Sequence, residues 1–146
     1  MNKEVLKEQI KRHEGEVLKV YADSLGYLTL GVGHLIQKSD PEYGKEEGTP
    51  VSQETVDMYY DDDFTKHVVE AKHLVSDFDT LPENIQHVLV NMCFNLGATR
   101  LSKFKNMLHA VEERNWNEMA KQMEDSRWFR QVGRRSLELQ EQVLGV

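Results

Sequence analysis

The feature that most narrows the fold is a single change of rhythm. From Pro82 onward, apolar residues recur at helical spacing: Ile85, Val88, Leu89, Met92 and Leu96, then Met107, Leu108 and Val111, then Trp116, Met119, Ala120 and Met123. Residues 17–34 depart from that period. Val17-Leu18-Lys19-Val20-Tyr21 and Tyr27-Leu28-Thr29-Leu30 are rich in β-branched and aromatic side chains, which suit a pleated, half-buried surface. Asp23-Ser24-Leu25-Gly26 between them is turn chemistry. The reading is an α+β chain with one β-hairpin in a mainly helical protein.

Helix signals place the remaining elements. Val5, Leu6, Gln9, Ile10 and His13 share one helical face, Asn2 suits its N-cap, and Gly15 breaks it. Asp40-Pro41, Gly44, Gly48 and Thr49-Pro50 mark an exposed loop over 37–50. Ser52 with Glu54 starts a helix running from about 53 to the mid-70s, with a stripe at Val56, Tyr59, Tyr60, Phe64, Val68 and Ala71. That length exceeds one face of a small core, so the helix is expected to bridge two lobes. Pro82 suits the first turn of the next helix, and Gly97 ends it. Ser102 is expected to cap a short helix containing Phe104, and Trp128, Phe129, Leu137, Leu139, Val143 and Leu144 fall on the last helices. The expected organisation is one domain over 1–146: a small β lobe at 15–52, a bridging helix at 53–76, a helical lobe from 1–14 and 77–146, and a cleft between the lobes, a common place for a substrate.

With 146 residues the chain is about one domain. No apolar run approaches the 18 or so residues of a membrane span, and Met1-Asn2-Lys3-Glu4-Val5 lacks the apolar core of a secretory signal. The single cysteine, Cys93, excludes an internal disulfide and any multi-cysteine metal site. Its neighbours Val90, Met92 and Leu96 point to buried packing. The net charge of −7 is concentrated: residues 40–63 hold nine acids and one lysine. Such a patch disfavours nucleic acid at that surface.

Three residues around the hairpin could act together. Glu14 sits where a helix ends, Asp23 at the hairpin turn, and Thr29 on the returning strand. Two carboxylates in different environments are what glycoside hydrolysis needs: one holds a proton for the leaving oxygen, the other stays ionised. The surrounding pattern is specific. His13-Glu14-Gly15 followed by Tyr21-x-Asp23-x-x-Gly26-Tyr27-x-Thr29-x-Gly31-x-Gly33-His34 closely resembles the phage-type lysozymes, the T-even phage lysozyme family. Eight residues separate Glu14 from Asp23 and five separate Asp23 from Thr29, as in that family's catalytic pattern. Val90-Asn91-Met92-x-Phe94-Asn95-x-Gly97 resembles its central buried helix, and Trp116-Asn117-Glu118 and Ser126-Arg127-Trp128-Phe129 resemble later ones. The resemblance spans residues 5–140.

The resemblance implies a lysozyme-like fold and a muramidase cutting the β-1,4 bond between N-acetylmuramic acid and N-acetylglucosamine in peptidoglycan. Glu14 would be the general acid, while Asp23 and Thr29 would place a water for inverting attack. Leu35, Phe94, Asn95, Met107 and Gln122 would line the substrate cleft, although Met107 stands where the best-known members carry a small hydroxyl residue. Arg135 would face the cleft from a helix start, and His34 would pair with Asp63 on the long helix. No cofactor is implied, and no metal: His13, His67, His73, His87 and His109 lack metal spacing, and Asp61-Asp62-Asp63 lacks the calcium-loop pattern. The implied protein is a monomeric endolysin with peptidoglycan glycan strands as its partner. It would not insert in membranes, would be made in the host cytoplasm, and would need a holin to reach the periplasmic wall. A virion-associated or glycan-binding module of the same fold is the alternative. The chain departs from the best-known members by a shortened segment after His34, a shorter C-terminus and an acidic balance.

Overall fold

A computed structural model describes residues 1–146. The chain divides into two compact units, Lys7–Thr65 and Met1–Leu6 with Lys66–Val146. Both boundaries fall inside helices, α1 (Lys3–Glu14) and α2 (Gln53–Leu74), so each helix contributes residues to both units.

In the 7–65 unit, α1 ends where Gly15 takes φ +77°, a left-handed position open to glycine, and Gly15 N donates to Lys11 O at 2.8 Å. The chain then forms β1 (Val17–Ala22) and β2 (Leu28–Gly31), antiparallel, with Tyr21 opposite Thr29 and a register slip between Val17 and Tyr21. A third strand, β3 (His34–Leu35), returns along β2 with His34 opposite Leu30. The sequence pattern does not reveal it, because a two-residue strand carries no periodicity. Nor is the end of the 37–50 loop detached. Val20 N donates to Thr49 O (2.9 Å), Gly48 N to Val20 O (2.7 Å) and Val51 N to Leu18 O (3.1 Å), which covers the outer edge of β1. Val20 and Leu30 from the sheet, Val32 from the turn after β2, Ile10 from α1 and Val56 and Tyr60 from α2 are buried in this unit. Ser52 caps α2 by accepting from Thr55 N at 3.2 Å, and the Tyr60 hydroxyl donates to Lys7 O at 2.5 Å.

The second unit is helical and centred on α3 (Glu83–Leu96), buried at every position from Ile85 to Phe94. Pro82 is its N-cap, one residue before the first turn, with ψ 144°. Gly97 closes α3 and leads into the four-residue α4 (Ala98–Leu101). Here the expectation for Ser102 fails. Its hydroxyl donates back to Thr99 O at 2.6 Å and it ends α4, while Phe104 precedes α5 (Lys105–Glu112). Then come α6 (Trp116–Glu124), capped by Asn115, and α7 (Arg127–Val132), capped by Ser126. The last helix is α8 (Arg134–Leu144), and α8 packs on both α3 and α6.

Candidate active site

Glu14 is the last residue of α1, directly before the Gly15 break. Its carboxyl group lies against the backbone of Gly33, in the tight link between β2 and β3. A Cβ built on Gly33 would stand 2.8 Å from Glu14 Oε1. Gly33 also has φ +64°. The positive φ favours glycine there, and the absence of a side chain leaves the acid room to approach the sheet; any larger residue would push the carboxyl group aside.

Asp23 occupies the hairpin turn and is held by that turn's own backbone. Leu25 N and Tyr27 N both donate to Asp23 Oδ1 at 2.9 Å, while Asp23 N donates to Tyr27 O and Gly26 N to Asp23 O, each at 2.9 Å. An Asx turn of this kind orients the carboxylate without help from any distant side chain. Thr29, on β2, is buried at 4% exposure, and its hydroxyl donates to Tyr27 O at 3.0 Å, leaving its oxygen lone pairs able to accept.

Tyr21 connects these groups and was missed as a site residue, although it stands inside the sequence motif. It lies opposite Thr29 in the ladder. Its phenol is pushed above its ordinary pKa, first by burial and then by the negative charges of Glu14 and Asp23. One ring thus feels both carboxylates. The signal available in the sequence was the alternation along β1, which puts Tyr21 two residues before Asp23 on the strand entering the turn.

His34 is buried and sits between two acids. Its Nδ1 is 2.7 Å from Asp63 Oδ2, and its Nε2 is 2.8 Å from Asp40 Oδ2. The imidazole stacks on Tyr59 at 4.0 Å, and the Tyr59 hydroxyl donates to Glu42. Burial works to lower the His34 pKa, but Asp63 and then Asp40 outweigh it and the net direction is upward. Asp40 was not anticipated, since nothing local distinguishes it among the acids of its loop. Leu35 follows on β3 and is 47% exposed.

The other expected contact residues lie in the helical unit. Met107 and Gln122 come together on a groove of about 450 Å³, which Phe104, Trp128, Arg100, Lys103, Lys105 and Arg127 also line. Met107 is nevertheless 1% exposed, so it forms the floor of that groove. Gln122 Nε2 donates to Glu118 Oε1 at 2.9 Å. Asn95 uses its amide oxygen to accept from Trp128 Nε1 at 2.7 Å, which makes it a support for the groove's indole. Phe94 is 9% exposed, and Arg135 is buried with its Nε donating to Asn91 Oδ1 at 2.9 Å.

A small three-stranded antiparallel sheet with a buried threonine, an acid in its hairpin turn and a second acid at the end of the preceding helix, in an otherwise helical chain, is the α+β lysozyme-like class. The sequence model of one family, phage lysozyme, matches residues 11–142. The chain belongs to the phage lysozyme family, and is a glycoside hydrolase. It is 32% identical to "Probable T4-type lysozyme 2" of Dictyostelium discoideum over 90% of this chain and 88% of that protein. It is 30% identical to "Pre-baseplate central spike protein Gp5" of Enterobacteria phage T4 over 86% of this chain and 25% of that protein. It is 23% identical to "Peptidoglycan hydrolase gp36" of Pseudomonas phage phiKMV over 85% of this chain and 13% of that protein.

Proposed function

We propose that the protein is a muramidase that cleaves the β-1,4 bond between N-acetylmuramic acid and N-acetylglucosamine with inversion. The observation that carries this reading is the placement of Glu14 against Gly33, with Asp23 fixed on the adjoining hairpin and Tyr21 feeling both. Glu14 gives its proton to the glycosidic oxygen as the bond to the anomeric carbon breaks. A water attacks that carbon from the opposite face, its proton passing to the Asp23 carboxylate and its position set in part by the Thr29 hydroxyl. The sugar leaves with an α-hydroxyl, and Glu14 regains a proton from solvent. Phe104 and Trp128 offer the groove an aromatic side, and its cations suit the carboxylates of an anionic wall polymer.

The test is turbidity loss of outer-membrane-permeabilised Gram-negative cells, with analysis of the fresh products. A muramic acid reducing end in the α configuration is the expected result. A glucosamine reducing end would overturn the bond assignment, and an initial β product would overturn inversion.

The physiological role belongs to the same proposal. An endolysin would act on the periplasmic wall after a holin opens the membrane. The similarity to a pre-baseplate central spike protein favours a second setting, attack on the wall during entry. Antibody detection of the protein in purified particles, against detection only in lysing cells, separates the two.

A further inference from the structure

Three side chains that the glycosidase chemistry does not use meet in the 66–146 unit. His67 and Glu70 lie one turn apart on α2, and Cys93 comes from α3. His67 Nδ1 is 2.8 Å from Glu70 Oε1 and 3.8 Å from Cys93 Sγ, and the three donor atoms all lie within 4.8 Å of one another. An i,i+3 helix pair accounts for His67 with Glu70. It does not account for the thiol of another helix lying next to the same ring nitrogen.

We propose that His67, Glu70 and Cys93 form a binding site for one thiophilic divalent cation, of the zinc or cadmium type. Zinc bonds to nitrogen, sulfur and oxygen run about 2.0–2.3 Å, so donors around a tetrahedral ion stand roughly 3.3–3.8 Å apart. The nitrogen–sulfur separation already meets this. The carboxylate must draw away from the ring nitrogen to admit the ion, and Glu70 is the donor most able to move, with 29% of its side chain exposed against 15% for His67. The His67 and Phe94 rings meet in an edge-type contact, their centroids 5.0 Å apart, which holds the imidazole in place. Three protein donors leave a fourth position for water, and the ion enters from the Glu70 side because Cys93 is wholly buried.

The donor set selects the metal. Cys93 offers its sulfur from a wholly buried position, and the thiolate is the form that ligates a metal. On binding, the Cys93 S–H bond breaks, a sulfur–metal bond forms and the proton leaves to the buffer. Only a cation with strong affinity for sulfur offsets that cost. Magnesium and calcium, which take oxygen ligands, are excluded. Sequence reasoning overlooked the site because its third donor lies 23 residues beyond Glu70 on a different helix.

Cys93 is the only cysteine in the chain, so a thiolate-to-cadmium charge-transfer band in the ultraviolet reports this site alone. Titrating the intact, folded protein with cadmium chloride should raise that band to saturation at one equivalent, while magnesium chloride raises none. Cys93→Ser should abolish the band. Glu70→Gln and His67→Gln, which leave the thiol in place, should each weaken cadmium binding by about tenfold or more. Circular dichroism confirms that each variant is folded. The proposal is overturned if the folded protein shows no band, if the band appears only in denaturant, or if both Gln variants bind cadmium as tightly as the parent, since the thiol would then act by itself.

Discussion

Glu14 owes its position to a residue without a side chain. An alanine at 33 would have to adopt φ +64° and place its methyl 2.8 Å from the carboxyl oxygen. The backbone term alone costs about 1–2 kcal/mol, and the contact forces the acid to move. A shift of an ångström in a catalytic group can remove roughly 10²-fold of rate. Gly33→Ala should therefore lose about 1–2 kcal/mol in thermal or denaturant melts and a disproportionate share of lytic rate. An activity loss no greater than the loss of folded protein would show that Glu14 had not been displaced. Glu14→Gln makes the complementary case. It keeps the size of the side chain but cannot donate the proton, so it should melt close to wild type while losing on the order of 10²–10⁴-fold in clearing rate. Clearing at the wild-type rate would remove Glu14 from the mechanism. The motif made Glu14, Asp23 and Thr29 visible in the sequence, because the spacing that builds the site is local to the hairpin. Tyr21 and Asp40 were not visible in the same way. Their roles depend on which groups the sheet and the loop bring beside them.

At the scale of elements, β3, α2 and the acidic loop are held together by His34. A protonated imidazole donates to Asp63 and Asp40 at once, whereas a neutral one donates through a single nitrogen and turns a lone pair toward the other acid. The folded His34 pKa is raised, so its contribution is full below the unfolded value of about 6.5 and is lost as pH rises through the folded value. Removing Asp40 by Asp40→Asn should cost on the order of 2 kcal/mol at pH 5.5 and clearly less at pH 8.5, measured as the gap from wild type in denaturant melts. A gap constant with pH would break the assignment. His87 on α3 has the opposite sign. Burial drives its pKa down, against the nearby charge of Glu83, and its Nε2 has no hydrogen-bond partner. Stability linked to His87 is present above about 6.5 and falls with pH as the unfolded chain takes up the proton. His87→Gln should flatten the loss of melting temperature between pH 7 and pH 5, and an unchanged slope would count against it. The helix starts at Asn2 and Ser52, the break at Gly15 and the hairpin turn were legible because each is set by residues within a few positions. Ser102 was misread because a serine ending one helix looks locally like a serine starting the next. The bridge from Lys19 to Pro50 joins residues 31 positions apart and leaves no mark in either segment.

Across the whole molecule, charge divides as the units do. Residues 7–65 hold six Lys/Arg and thirteen Asp/Glu, a net of −7, while the remaining residues hold twelve of each and sum to zero. The entire formal charge thus belongs to the unit that carries Glu14, Asp23 and Thr29. A bacterial wall is also anionic, and like charges repel across a Debye length of about 30 Å at 0.01 M salt but only about 10 Å at 0.1 M. Approach should be slowest at low ionic strength, so the initial clearing rate should rise with sodium chloride and then level off, opposite to an enzyme drawn to the wall by net positive charge. The variant that tests the cause must remove charge without removing a structural pair. Asp61 is unsuitable because Lys7 Nζ holds it at 2.8 Å, and Asp40, Glu42 and Asp63 serve the His34 and Tyr59 contacts. Glu47 and Asp62 are exposed, and neutralising both as Glu47→Gln with Asp62→Asn lowers the unit's charge from −7 to −5. The double variant should clear cells faster than wild type at low salt, and the two curves should converge as salt rises. A wild-type rate that falls steadily with salt would mean that the groove's Arg100, Lys103, Lys105 and Arg127 govern the encounter instead, and the repulsion account would be abandoned.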